Sequence, residues 1–152
     1  MANVTFKTRT DWAGQGVYVE SRARRFQVAM DEPESLGGTN RAMNPVELLL
    51  SSLGGCIAIV VSAFAEEEGL RIDDVTVHVE GDLDPEGFLG KADVRPGFQD
   101  IRVRVNVVSP EPEHRVAQLV ELALKRCPVK DTLTGVSVEE SYRVHQPEPQ
   151  PA

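Results

Sequence analysis

The chain has 152 residues, a formal charge of −8, and 41% hydrophobic and 26% charged positions, which suits one soluble globular domain with a real core. Nucleic acid and anionic membrane surfaces are excluded as expected partners, because both need a basic patch and Arg22, Arg24 and Arg25 form only a local cluster beside Glu20. Two cysteines, with no secretory leader in the N-terminal residues, fit a reducing cytoplasm better than a secreted disulfide scaffold.

In chain order, the first 30 residues read as strands over Val4 to Thr10, Val17 to Glu20 and Phe26 to Met30, with Gly14, Gly16 and the arginine-rich stretch as separators. Residues 31–43 read as a loop rich in Glu, Gly and Asn. A long helix then starts cleanly. Asn44 suits the cap, Pro45 the first helical position, and Glu47 the position from which a carboxylate reaches back to the cap. Gly69 is a good stop.

Leu48 to Ala65 carries no charge over 18 residues, the lower limit for a membrane span. It contains three serines and two glycines, and no Lys or Arg flanks it to set an orientation. The segment is expected to be a core helix, buried on nearly every side.

Strands return where Val75, Val77 and Val79 alternate with Thr76, His78 and Glu80, and where Ile101, Val103, Val105 and Val107 alternate with Arg102, Arg104 and Asn106. Residues 81–99 between them read as a long loop or wide hairpin connection. A second helix is expected from about Pro110 to Lys125, a short one from Cys127-Pro128 to Gly135, and a last strand over Val136 to Val144. Residues 1–144 then form a single domain, followed by a disordered Pro-rich tail over 145–152. This order indicates an α+β domain whose sheets are antiparallel and joined by hairpins rather than crossovers.

The two thiols stand in distinctive settings. Cys56 follows Gly54-Gly55 inside the uncharged helix, and Cys127 precedes Pro128 at a helix restart. Peroxide chemistry needs a thiolate, and a second thiol in reach to trap the sulfenic acid. An apolar helix interior raises a thiol pKa, whereas a helix N-terminus such as the one at Cys127 lowers it. Inert core cysteines are the other reading of the same residues. Two successive glycines in a helix each cost roughly 1 kcal/mol against alanine, so something approaches the backbone there, whether a second helix, a substrate or a plain helix crossing.

Asp82-x-Asp84-x-Glu86-Gly87, followed by Asp93, has the outline of a calcium loop. Pro85 interrupts it and no helices flank it, so no metal is expected. His78, His114 and His145 are too scattered to form a metal cluster.

The run Asn44-Pro-Val-Glu-Leu-Leu-Leu-Ser-Ser-Leu-Gly-Gly-Cys56, with Cys127-Pro-Val downstream, resembles the OsmC/Ohr family of thiol-dependent hydroperoxide reductases. The likeness runs from Trp12 through Gly37-Gly38 to the strand around Tyr142, and is closer to the family's OsmC-like branch with the Asn-Pro-Val-Glu-Leu-Leu-Leu and Gly-Gly-Cys motifs. The resemblance implies an intertwined homodimer with antiparallel sheets wrapped around long central buried helices. It implies that Cys56 is peroxidatic, that Cys127 resolves it as a Cys56–Cys127 disulfide, and that no cofactor is bound. It also implies an external dithiol reductant of lipoyl type and a cytoplasmic role in the oxidative stress response.

Where well-characterised members carry a glutamate ten residues before the cysteine, this chain has Val46, with Glu47 one place later. Gln15 stands nearest to the family's hairpin arginine. Nine helical residues place Glu47 roughly 13 Å from its own Cys56, so it would serve a thiol only from the partner subunit; otherwise it caps Asn44. Arg41 and Arg95 are the expected cations near the thiolate. The alternative reading is a non-catalytic small-molecule binding or redox-sensing protein on the same scaffold.

Overall fold

The computed structural model describes residues 1–150. Contacts divide the chain into two compact units, one from Met1 to Leu49 and one from Leu50 onward.

In the first unit, β1 (Arg9–Trp12), β2 (Val19–Ala23) and β3 (Phe26–Met30) form an antiparallel sheet in sequence order. The strand expected from Val4 begins instead at Arg9, because β2 offers pairing partners only from Val19 to Arg22. The second strand is also longer than expected. It runs through the arginine-rich stretch to Ala23, and the turn is confined to Arg24 and Arg25, with Arg24 left-handed at φ 55°. Register places Trp12, Val19, Phe26, Val28 and Met30 on one face of this sheet, while Arg9, Asp11, Glu20 and Arg22 share the other.

The loop after β3 is organised by one buried carboxylate. Asp31, 2% exposed, accepts from the backbone N–H groups of Glu32, Thr39 and Arg41 and from the Thr39 hydroxyl. The Thr39 hydroxyl above all, with the backbone N–H groups and against the effect of burial, lowers the Asp31 pKa to about 2.

Helix α1 (Pro45–Glu67) belongs to the first unit up to Leu49 and to the second thereafter. Its start follows the local code: the Asn44 side chain accepts from the Glu47 N–H, and the Glu47 carboxylate accepts from the Asn44 N–H, each at 2.9 Å. Its end is a Schellman motif, with Leu70 N–H on Ala65 C=O, Gly69 N–H on Glu66 C=O, and Gly69 at φ 64°.

Helix α1 departs from expectation along its sides. Leu53, Gly54, Ile57, Val61 and Ala65 form one buried stripe at helical spacing. The rest is not enclosed by this chain: Ser52, Gly55, Ser62 and Ala63 are exposed, and Ile59 is 70% exposed. An uncharged sequence therefore gives a helix that is buried along one face, not all round.

In the second unit, β4 (Asp74–Leu83), β5 (Phe98–Val108) and β6 (Ser137–His145) form a sheet with β5 in the centre. β4 and β5 are antiparallel, but β5 and β6 run parallel. The all-hairpin expectation is thus corrected: α3 (Glu113–Arg126) and α4 (Pro128–Thr132) make a crossover, as a parallel pair requires. The expected loop over 81–99 is shorter, since β4 reaches Leu83 and a one-turn helix, α2 (Pro85–Phe88), follows with Asp84 as its cap.

Alternating valines on β5 meet the α1 stripe and the α3 residues Val116, Leu119, Val120, Ala123 and Leu124 in one core. Each Val, Leu or Ile among them, fully buried, contributes about 1.5–3 kcal/mol. Gly54 explains half of the glycine pair: a Cβ there would lie 3.3 Å from a Val79 methyl, so the helix sits close on β4. Gly55 faces open space. β6 extends to His145, and Gln146 donates to the Glu111 carbonyl. Of the tail expected over 145–152, residues 151 and 152 lie outside the described residues.

Candidate functional site

Cys56 lies at the margin of the buried stripe of α1, half-buried between core residues Leu53 and Ile57 and the exposed Ser52 and Ile59. Cys127 reaches the same place from the break between α3 and α4. Pro128 disfavours helical geometry in the residue before it, so Cys127 is extended at φ −70°, ψ 111° and ends α3. Pro128 then occupies the first position of α4, and the Cys127 side chain turns inward as its cap.

The two sulfurs stand 3.0 Å apart, with the Cys127 thiol donating to Cys56. Both are free thiols. Closing a disulfide needs a separation near 2.05 Å, a shift of roughly 1 Å.

Their surroundings differ. Cys127 is 1% exposed, whereas Cys56 reaches solvent. Burial, and then the bond to Cys56, push the Cys127 thiol above the ordinary cysteine range; the N–H groups of Lys130 and Val129 pull it down. The helix N-terminus at Cys127 is therefore present, as the Lys130 N–H at 3.4 Å from Sγ shows, but desolvation outweighs it. A protonated Cys127 is the hydrogen-bond donor of the pair.

The other expected site residues have definite places. Glu47 is engaged in the capping box with Asn44, its side chain exposed. The guanidinium of Arg41 lies 4.1 Å from the centre of the Tyr18 ring and donates to the Thr39 hydroxyl. Arg95 donates to the carbonyl of Gly135, in the turn after α4, at the end of that helix remote from Cys127. The structure thus joins Cys56 to Cys127 and, within the second unit, anchors Arg95 elsewhere.

The carboxylates of the calcium-like stretch have other occupations. Asp82 accepts from Arg102 at 2.9 Å, which lowers its pKa, and Asp84 caps α2.

Sequence reasoning passed over the residues behind Cys127. Lys130 donates from its side chain to the Leu124 carbonyl and pairs with Glu140 of β6. Beside it, Tyr142 donates to Glu121 at 2.6 Å. Arg126 lies over the Phe64 ring of α1 at 5.3 Å. A lysine three places after a cysteine is the only signal that could have marked Lys130.

A family model described as OsmC-like protein matches residues 38–141. A hydroperoxide reductase of Mycoplasma pneumoniae is 26% identical over 114 residues, covering 74% of this chain and 76% of the relative. Among solved structures, an OsmC-like protein from Mycoplasma pneumoniae superposes with a TM-score of 0.81 at 19% identity, covering 95% of this chain and 99% of the other. An organic hydroperoxide resistance protein from Legionella pneumophila gives 0.66 at 23% identity, with 95% and 100% coverage. At these identities the structural likeness speaks for a shared α+β fold.

Proposed function

The chain belongs to the OsmC-like protein family, and we propose that it is a thiol peroxidase that reduces organic hydroperoxides through a Cys56–Cys127 disulfide. The observation that carries this reading is the pair of sulfurs at 3.0 Å, of which only Cys56 is open to a substrate. Likeness to proteins named hydroperoxide reductase supports the same class of chemistry.

The Cys56 thiolate attacks the terminal oxygen of R–O–OH. The O–O bond breaks, RO⁻ takes a proton and leaves as the alcohol, and Cys56 becomes a sulfenic acid. Cys127 sulfur then attacks the Cys56 sulfur, and its proton departs with the hydroxyl group as water. The resulting disulfide is returned to two thiols by an external dithiol, which is itself oxidised. The burial of Cys127 keeps it from competing for peroxide.

A second copy of the chain completes this reading. The apolar face of β1–β3 and the uncharged outer side of α1 around Ile59 are surfaces that a homodimer would cover. In such a dimer Glu47 of one copy serves the thiols of the other, Arg41 and Arg95 are the two candidate cations, and the site of action is the cytoplasm.

Reduced protein mixed with one equivalent of cumene hydroperoxide, and separately with hydrogen peroxide, tests the reading by intact mass and peptide mapping. The expected result is a Cys56–Cys127 bond, faster with the organic peroxide, and sulfenic or sulfinic Cys56 in a Cys127→Ser variant. Two thiols still free after minutes would leave a binding or redox-sensing protein on this fold.

A further inference from the structure

We infer that Lys130, held by Glu140, is the positioning residue that keeps Cys127 within closing distance of Cys56. This inference rests on the disulfide chemistry proposed above, and it deepens that chemistry by naming what sets the rate of its second step.

Three contacts converge on this one residue. Its backbone N–H points at Cys127 Sγ from 3.4 Å. Its ammonium group donates to the carbonyl of Leu124 at 3.2 Å, one of the last-turn carbonyls of α3 that lack a helical partner. The same ammonium pairs with Glu140 on β6. Lys130 therefore ties the end of α3, the start of α4 and the edge strand of the sheet around the one residue, Cys127, that belongs to neither helix.

That tie matters because, apart from the partly buried Val129 and Leu133 packed against the core, little else fixes α4. The helix is five residues long and contains no fully buried side chain. A helix this short does not hold its place by its own hydrogen bonds. Cys127 is its cap, so any drift of α4 moves the sulfur. The Lys130 and Glu140 side chains are only 26% and 24% exposed, so their attraction is less screened than that of a surface pair. Loss of Lys130 would leave Glu140 half-buried without its cation, and loss of Glu140 would leave Lys130 held by the Leu124 carbonyl alone.

The consequence falls on one chemical step. Attack on Cys56 by an incoming oxidant does not involve α4. Disulfide closure does, because Cys127 Sγ must advance roughly 1 Å along the S–S axis with the right alignment. A misplacement of that order costs up to about a hundredfold in rate.

Dithiodipyridine separates the two steps without peroxide. The Cys56 thiolate displaces one thiopyridone and forms a mixed disulfide; Cys127 then displaces the second, loses its proton and leaves Cys56–Cys127. Each release is followed by absorbance under stopped flow, in the wild type, Lys130→Met, Lys130→Arg and Glu140→Gln. The expected result is an unchanged first phase in every variant, within twofold. The second phase slows on the order of tenfold in Lys130→Met and Glu140→Gln and recovers in Lys130→Arg. A uniform loss of structure would slow neither phase selectively and would not be rescued by arginine.

Equal second phases in all four proteins would overturn the inference, and so would a slowing that arginine fails to relieve. If Lys130→Met does not fold, Glu140→Gln against the wild type decides alone. A selective second-phase defect alongside wild-type thiols inert to cumene hydroperoxide would uphold the role of Lys130 and defeat only the peroxidase reading.

Discussion

Cys127, 1% exposed, donates its thiol hydrogen across 3.0 Å to Cys56, which lies half-buried at the edge of the α1 stripe. This asymmetry divides one pair of identical side chains into an accessible thiol and an enclosed one.

Alkylation should follow that division. Iodoacetamide at pH 8 is expected to modify Cys56 in the native protein and to reach Cys127 only after unfolding, read by peptide mass over time. Equal labelling, or Cys127 first, would contradict the assignment. The raised Cys127 pKa has a sign that can be checked too. Its contribution to stability is complete below the unfolded cysteine value near 8.5, and is lost as pH rises through the higher folded value. Thermal stability should therefore fall on the alkaline side of about pH 8.5, and Cys127→Ser should flatten that fall.

Glu47 has two separable roles. Its carboxylate accepts from the Asn44 N–H in the capping box, and a glutamine at that position can still reach back to the cap. Asn44→Ala should then cost about 1 kcal/mol of stability, measured by urea unfolding, whereas Glu47→Gln should cost much less. If the partner's Glu47 carboxylate also supports the Cys56 thiol, Glu47→Gln slows Cys56 oxidation on the order of tenfold or more. An unchanged oxidation rate would reduce Glu47 to a cap alone.

The outer side of α1 carries the third prediction. Ile59, 70% exposed, borders a groove of about 800 Å³ between α1 and the start of β4. A homodimer that covers this side would bury a charge placed there without a partner. Ile59→Glu should therefore shift the protein from dimer to monomer in sedimentation or light scattering, with its far-UV spectrum retained. A wild-type chain already monomeric at high micromolar concentration would remove the basis for the second copy.

What could be read from the sequence was local. Asn44, Pro45 and Glu47 marked the start of α1, and Gly69 its end, because caps are decided within four residues. Pro128 likewise marked the break that presents Cys127. Strand direction was not legible, since the parallel pairing of β5 with β6 depends on how α3 and α4 cross over. The exposed side of α1 was hidden for a related reason: an uncharged helix has the same composition whether its own chain or another copy covers it. Lys130 and Glu140 are ten residues apart in sequence and meet only through the fold, an α4 side chain against one of β6, so no short-range pattern announces the pair.

Asp31 supplies the last test, in the first unit alone. Its carboxylate gathers three backbone N–H groups and the Thr39 hydroxyl, and so fixes the loop that carries Thr39 and Arg41. Its folded pKa, lowered to about 2, lies below the unfolded value near 3.9. The charged form is thus favoured by folding. The stability it contributes is full above about pH 4 and is lost as pH falls through 2. Asp31→Asn keeps the shape but cannot accept all four bonds, since half of its polar end is a donor. It should lower the thermal midpoint at pH 7 and remove the steepening of acid unfolding between about pH 4 and 2. Amide exchange at Thr39 and Arg41 should rise in the same variant. An unaltered acid limb with unaltered exchange would show that the loop is held by other contacts.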